Sequence, residues 1–230
     1  MKYPLTAFAL LISISTFAQD FFGDANLFFQ KNVKKGLVNY TEIKQNPAEL
    51  NKLLDMIATA PEFQGEQEKA FLINAYNLFI IKGIVDAYPT EGPMAISGFF
   101  DKKAFTLRGE KTSLNNVEKK TLAKQFPDNR LHFALVCAAI GCPKLPSFAF
   151  TPKELEQQLE DRTRFSVNDP SFVKVDGNKV QLSQIFEWYA ADFGGRKELI
   201  NYVQKYYLPK IKLSPKVAFY KYDWTLNELK

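Results

Sequence analysis

The sequence predicts an α+β fold: a single domain with several helices packed on a small, mainly antiparallel sheet, plus β-hairpins. Three observations predict it. Helical and hairpin patterns are mixed along the chain without the strand–helix–strand rhythm of a parallel sheet. One helical pattern, Gly65 to Tyr88, is nearly all apolar from Ala70 to Val85, as a central buried helix is. The 230 residues carry 46% hydrophobic and 24% charged side chains, a globular balance that excludes a disordered tail, a collagen-like repeat and a coiled-coil rod.

At the N-terminus, Lys2, the apolar run Phe8–Ile14 and Ala18 read as a secretory leader over residues 1–18, cut before Gln19. Residues 19–230 then form one globular domain. The apolar run is shorter than the roughly 20 residues of a spanning helix. No membrane span is therefore expected after leader removal, and the location expected is exported, periplasmic or extracellular. Phe21, Phe22, Leu27, Phe28 and Phe29 recur at helical spacing and predict a helix over Asp20–Val33. Leu37–Tyr40 is a short extended piece. Leu50, Leu53, Leu54 and Ile57 predict a helix over Pro47–Ala58, entered through Asn46 and Pro47. The long apolar helix ends at Pro89, and Asn74, Asn77, Lys82 and Asp86 interrupt it too often for a lipid-facing segment.

Ala104–Leu107 and Lys111–Leu114, joined across Arg108-Gly109-Glu110, predict a hairpin, and Asn115–Gln125 continues as a helix. Leu131–Ala139 is almost wholly apolar and is the best candidate for a central strand. Thr151-Pro152-Lys153-Glu154 is a capping box with proline at the first helical position. Phe172–Val175, Asp176-Gly177 and Asn178–Leu182 predict a second hairpin. Ser183 caps a helix through Trp188 and Tyr189 toward Gly194-Gly195. Another helix covers Lys197–Tyr207, and Lys216–Tyr222 is a final strand.

The formal charge of +5 is spread thinly, with no arginine-rich run or basic-aromatic pattern, so no nucleic-acid partner is expected. A glycine-rich phosphate loop and a GxSxG elbow are both missing from the sequence, and no cofactor is expected. The single histidine, His132, excludes a metal site built from several imidazoles. It also makes His132 the one candidate for an imidazole base.

The segment Leu131–Pro143 holds that histidine and both cysteines, Cys137 and Cys142. As a strand, it would place His132 on the face of Ala134 and Val136, away from Cys137. Three readings of these residues stay open. Cys137 and Cys142 form a disulfide, natural in an oxidising compartment. Alternatively, Cys142 is a nucleophile with His132 as its base. In the third reading both are buried unpaired thiols and His132 is a hydrogen-bonded core residue. Zinc held by all three lacks a recognisable ligand spacing, and no metal site is expected.

A Cys–His pair needs a third group to orient the imidazole, and Glu118 is the candidate. Its plainer reading is an exposed helix glutamate beside Lys119 and Lys120. Asn74 and Asn77 lie three apart and share a helix face. They either hold loop backbone against the helix or offer an amide to a developing oxyanion.

Four motifs occur in order: Phe71-Leu72-Ile73-Asn74-Ala75-Tyr76-Asn77, Ser113-Leu114-Asn115-Asn116-Val117-Glu118, His132 through Cys142-Pro143, and Tyr222-Asp223-Trp224-Thr225-Leu226-Asn227. With these motifs, strongest over residues 68–230, the chain resembles the domain of unknown function 547 family, found in exported bacterial proteins and in plant proteins. The resemblance implies that Asn74, Tyr76, Asn77, Glu118, His132 and Cys142 occupy signature positions. It implies no particular reaction. Leu72 stands where the family usually has Trp, and Lys119 where it often has His, so any shared imidazole chemistry rests on His132 here.

Two functions are expected from different classes. One is a thiol hydrolase or acyl transferase acting on amide or ester bonds, in which Cys142 attacks, His132 takes its proton, Glu118 orients His132, and Asn74 or Asn77 helps the oxyanion. The other is a non-catalytic envelope or extracellular binding module. There the cysteines are bridged, and the 14% aromatic content furnishes a groove for a small-molecule, peptide or glycan ligand.

Overall fold

A computed structural model describes residues 5–211 and 215–230. Of the expected leader over residues 1–18, residues 1–4 and the side chains of 5–16 and 18 lie outside the described part of the chain. Helix α1, Leu5–Asn32, buries Phe21, Phe22, Ala25, Phe28 and Phe29. A tight hairpin follows, β1 (Val33–Lys34) against β2 (Leu37–Val38), turned by Lys35 and Gly36 at φ of 52° and 85°. The Asn39 side chain accepts from the Glu42 N–H and caps α2, Tyr40–Gln45. Helix α3, Ala48–Thr59, turns Leu50, Leu53 and Ile57 inward.

Helix α4, Gly65–Ala87, is the axis of the molecule, and every residue from Glu68 to Ile81 on it is buried. It is long and apolar enough to cross a membrane, yet 83% of its apolar stretch is enclosed by the rest of the chain. Its two buried charges are paired, because a buried charge without a partner is costly. Glu68 accepts from both terminal nitrogens of Arg108 at 2.9 and 2.6 Å, and the guanidinium lies over the Phe71 ring. Lys69 donates to Asp128 at 2.6 Å.

Strands β3 (Phe105–Leu107) and β4 (Glu110–Thr112) form the expected hairpin. The helix after it is different from the expectation: Asn116–Leu122 is a widened π-helical turn that runs into the short α5, Ala123–Gln125. The expected central strand over Leu131–Ala139 does not form either. A 3₁₀ turn occupies Asn129–Phe133 and irregular chain follows. The reason is visible in the backbone, whose buried polar groups must find partners somewhere. The Asn77 amide donates to the Ala134 carbonyl and accepts from the Val136 N–H, both at 3.0 Å, so a side chain replaces a neighbouring strand.

Helix α6, Leu155–Val167, begins after a turn at residues 152–154, three residues beyond the expected start. Next come β5 (Val173–Asp176), β6 (Lys179–Ser183) and α7 (Gln184–Trp188), whose cap is Ser183, its hydroxyl accepting from the Ile185 N–H. A 3₁₀ turn over Ala190–Phe193, helix α8 (Leu199–Tyr206) and strand β7 (Lys216–Tyr220) complete the order. The largest sheet runs β5-β6-β7, antiparallel on one side of β6 and parallel on the other. The fold is α+β, as expected.

Two apolar clusters hold these elements. One surrounds α4; the other lies beneath β5–β6, α7 and α8 and receives Phe133 from the middle of the chain. The C-terminal segment ties them together. Ile140 and Gly141 donate to the carbonyls of Thr225 and Asp223, each at 2.8 Å, and Asn227 donates to Ala138. At Gly141 a Cβ would sit 2.9 Å from the Asp223 nitrogen, so only glycine permits this approach.

Candidate functional site

A cleft of about 330 Å³ opens where the two clusters meet, within the size range of small-ligand sites. Its aromatic wall comes from the C-terminal third. The rings of Trp188 and Trp224 lie 5.9 Å apart and nearly parallel, and Tyr222 packs against both at 4.9 and 4.6 Å. Trp188 is 47% exposed, so this wall faces solvent at one edge. Burial pushes the Tyr222 phenol well above its ordinary pKa.

Glu118 stands at the inner side of the cleft on the π-helical turn. Widened turns of this kind occur frequently at functional sites. Its two carboxylate oxygens accept from separate phenols, Tyr76 at 3.1 Å and Tyr189 at 3.0 Å. Burial, and then the neighbouring Glu118 charge, raise the pKa of both tyrosines, so each stays protonated as a donor. A second cavity of about 340 Å³ adjoins the first, and Glu118, His132, Leu135 and Tyr189 line both. The site is thus two chambers with Glu118 at their seam. The outer chamber adds Asp192, Asp128, Asn129 and the exposed Lys119.

His132 Nε2 is 2.8 Å from Asp192 Oδ2, and its ring rests on Tyr189 at 4.1 Å. Glu118 does not orient the imidazole; its carboxylate is taken by the two phenols, and Asp192 holds the place expected of it. Cys137 and Cys142 are joined as a disulfide at the cleft floor, with the Tyr222 hydroxyl 3.0 Å from Cys137 Sγ. As arranged, the floor presents no free thiol.

Asn74 and Asn77 are both buried and neither lines the cleft. Asn74 donates to the carbonyls of Ala70 and Phe150 and accepts from the Phe150 N–H, while Asn77 clamps Ala134 and Val136. Their amides hold backbone, in place of the oxyanion role considered from sequence. Of the six signature residues, Tyr76, Glu118, His132 and Cys142 meet at the cleft. Sequence reasoning missed Trp188, Tyr189 and Asp192. The Trp188-Tyr189 pair was a legible signal in an aromatic-rich chain, whereas nothing local marked Asp192.

Chemically, the cleft offers an accepting carboxylate held by phenols, an imidazole–carboxylate pair and broad aromatic surface. Among the described residues no group of three or more His, Cys, Asp or Glu side chains gathers that could hold a metal ion.

Fold and site together define an α+β domain with an aromatic, two-chambered cleft. Residues 61–167 match the family model described as "Protein of unknown function, DUF547", and this part of the chain belongs to that family. No curated protein and no solved structure matches the chain.

Proposed function

We propose that this protein is an exported binding module whose aromatic cleft takes a small organic ligand or the end of a larger one. The observation that carries the reading is the cleft itself: three mutually packed aromatic rings face a seam occupied by one carboxylate, over a floor closed by a disulfide. Concave sites with mostly apolar walls and a few placed polar groups are what small-molecule recognition requires. The bonded Cys142 sulfur supports binding over nucleophilic attack, since the thiolate is the form that attacks.

A second reading, a thiol hydrolase or acyl transferase, is favoured by one observation: Cys142 and His132 line the same cleft, and Asp192 orients the imidazole. Reduction of the disulfide would be its first requirement. Intact mass and alkylation of the native protein separate the two. Binding predicts a mass short of the reduced chain by two hydrogens and alkylation only after reductant. Rapid labelling of Cys142 in untreated protein, lost in His132→Ala, would overturn the binding reading in favour of the hydrolase.

A further inference from the structure

The charge arrangement at the seam goes a step further than the aromatic wall. Elsewhere in the fold, carboxylates wholly or partly withdrawn from solvent are matched by cations: buried Glu68 by Arg108, and partly exposed Asp128 by Arg130 and Lys69. Glu118 is matched by two phenols instead, and no lysine or arginine pairs with it among the described residues. Phenol donors satisfy two lone pairs but leave the charge uncompensated. The one imidazole nearby is turned to Asp192. Lys119, in the outer chamber, is exposed. Of the three carboxylates along the two chambers, Asp128 is paired with Lys69 and Arg130. A chain of net charge +5 therefore keeps two without a lysine or arginine partner among the described residues, Glu118 and Asp192, where the aromatic wall also favours cations through the negative faces of its rings.

We propose, building on the binding reading, that the cleft selects organic cations: an ammonium or guanidinium group placed at Glu118, on an apolar or planar body lying against Trp188, Tyr222 and Trp224. The ligand supplies the positive charge that the fold leaves out at the seam. Asp192, half exposed at 53%, adds to the attraction from the outer chamber.

Both tryptophans of the chain line this cleft, so tryptophan emission reports on its occupancy. The experiment titrates emission of the full disulfide-bonded protein with benzyltrimethylammonium, with neutral benzyl alcohol, and with cellobiose. A saturable change with the cation is expected, at an affinity at least about tenfold above either neutral probe and falling as salt is raised. Glu118→Gln should lower the cation affinity about tenfold and leave that for benzyl alcohol unchanged, with far-UV circular dichroism confirming the fold. The wild-type contrast of charged and neutral probes stands even if that variant misfolds. Equal or tighter binding of benzyl alcohol or cellobiose overturns the cation selectivity while leaving a binding cleft. An affinity for the cation that Glu118→Gln does not change overturns it as well. Emission that no probe saturates counts against the binding reading itself, and the cation proposal falls with it.

Discussion

The family-matched region, residues 61–167, and the chain after it contribute different things to one cleft. The matched region supplies the polar groups: Glu118 with its donor Tyr76, His132, and both cysteines. The later segment supplies the aromatic wall of Trp188, Tyr222 and Trp224, together with the second donor Tyr189 and the orienting Asp192. The matched region is organised around one buried helix; the later segment is a three-stranded sheet with two short helices over a smaller apolar cluster. The difference teaches that the matched region holds only half of the site, while Tyr222 and Trp224 of the fourth motif lie beyond it. The surface a ligand would rest on lies in sequence that the family match does not reach.

The sharpest way to break this comparison is to ask whether the later segment is a separate unit. Phe133 belongs to the matched region yet is fully buried among Phe172, Phe186, Phe193 and Tyr202. Phe133→Ala should cost about 3–5 kcal/mol, the loss typical of a large buried ring. Urea unfolding followed by circular dichroism and by tryptophan emission should shift together. Both tryptophans lie in the later segment, so an emission transition that moves alone would show two independent units.

A smaller effect is expected inside the matched region. Asn77→Ala strips partners from the Ala134 carbonyl and the Val136 N–H, and should cost about 2–3 kcal/mol with little change in the urea slope. Equal stability in the variant would mean that the Leu131–Ala139 backbone does not depend on this amide.

The smallest effect is electrostatic. Burial pushes the Asp128 carboxyl up, but hydrogen bonds from Arg130 and Lys69 outweigh it and hold the pKa down at about 2. An unfolded aspartate titrates near 3.9, so the unfolded chain takes up its proton first as pH falls. The stabilisation is fully present above about pH 4 and is lost on descending through about 2. With solvent screening at this partly exposed group it amounts to roughly 1 kcal/mol. Acid titration of stability in Asp128→Asn should show the loss over that window reduced, and an unchanged profile would remove Asp128 from the account.

How much was legible varied with the range of the interaction involved. Apolar spacing at Leu50, Leu53 and Ile57, and the unbroken run through α4, were read correctly because helix periodicity is a local property. The Asp176-Gly177 hairpin and the Ser183 cap were legible for the same reason. Leu131–Ala139 misled because an apolar run says that a segment is buried without saying what satisfies its backbone. Here Asn77, 57 and 59 residues away, does so.

By itself, then, the amino-acid sequence determined the α+β class, the core helix, the hairpins and the residues most worth watching: Tyr76, Glu118, His132 and Cys142. Only the tertiary structure decided what those residues touch. Glu118 meets Tyr76 and Tyr189 across 42 and 71 residues, and His132 meets Asp192 across 60. The parallel seating of β7 on β6 was likewise decided at that level. Periodicity, caps and turns are set by neighbours within a few residues, whereas side-chain partnership depends on the path of the whole chain. That path is chosen by burying both apolar clusters at once, and the cleft is what remains between them.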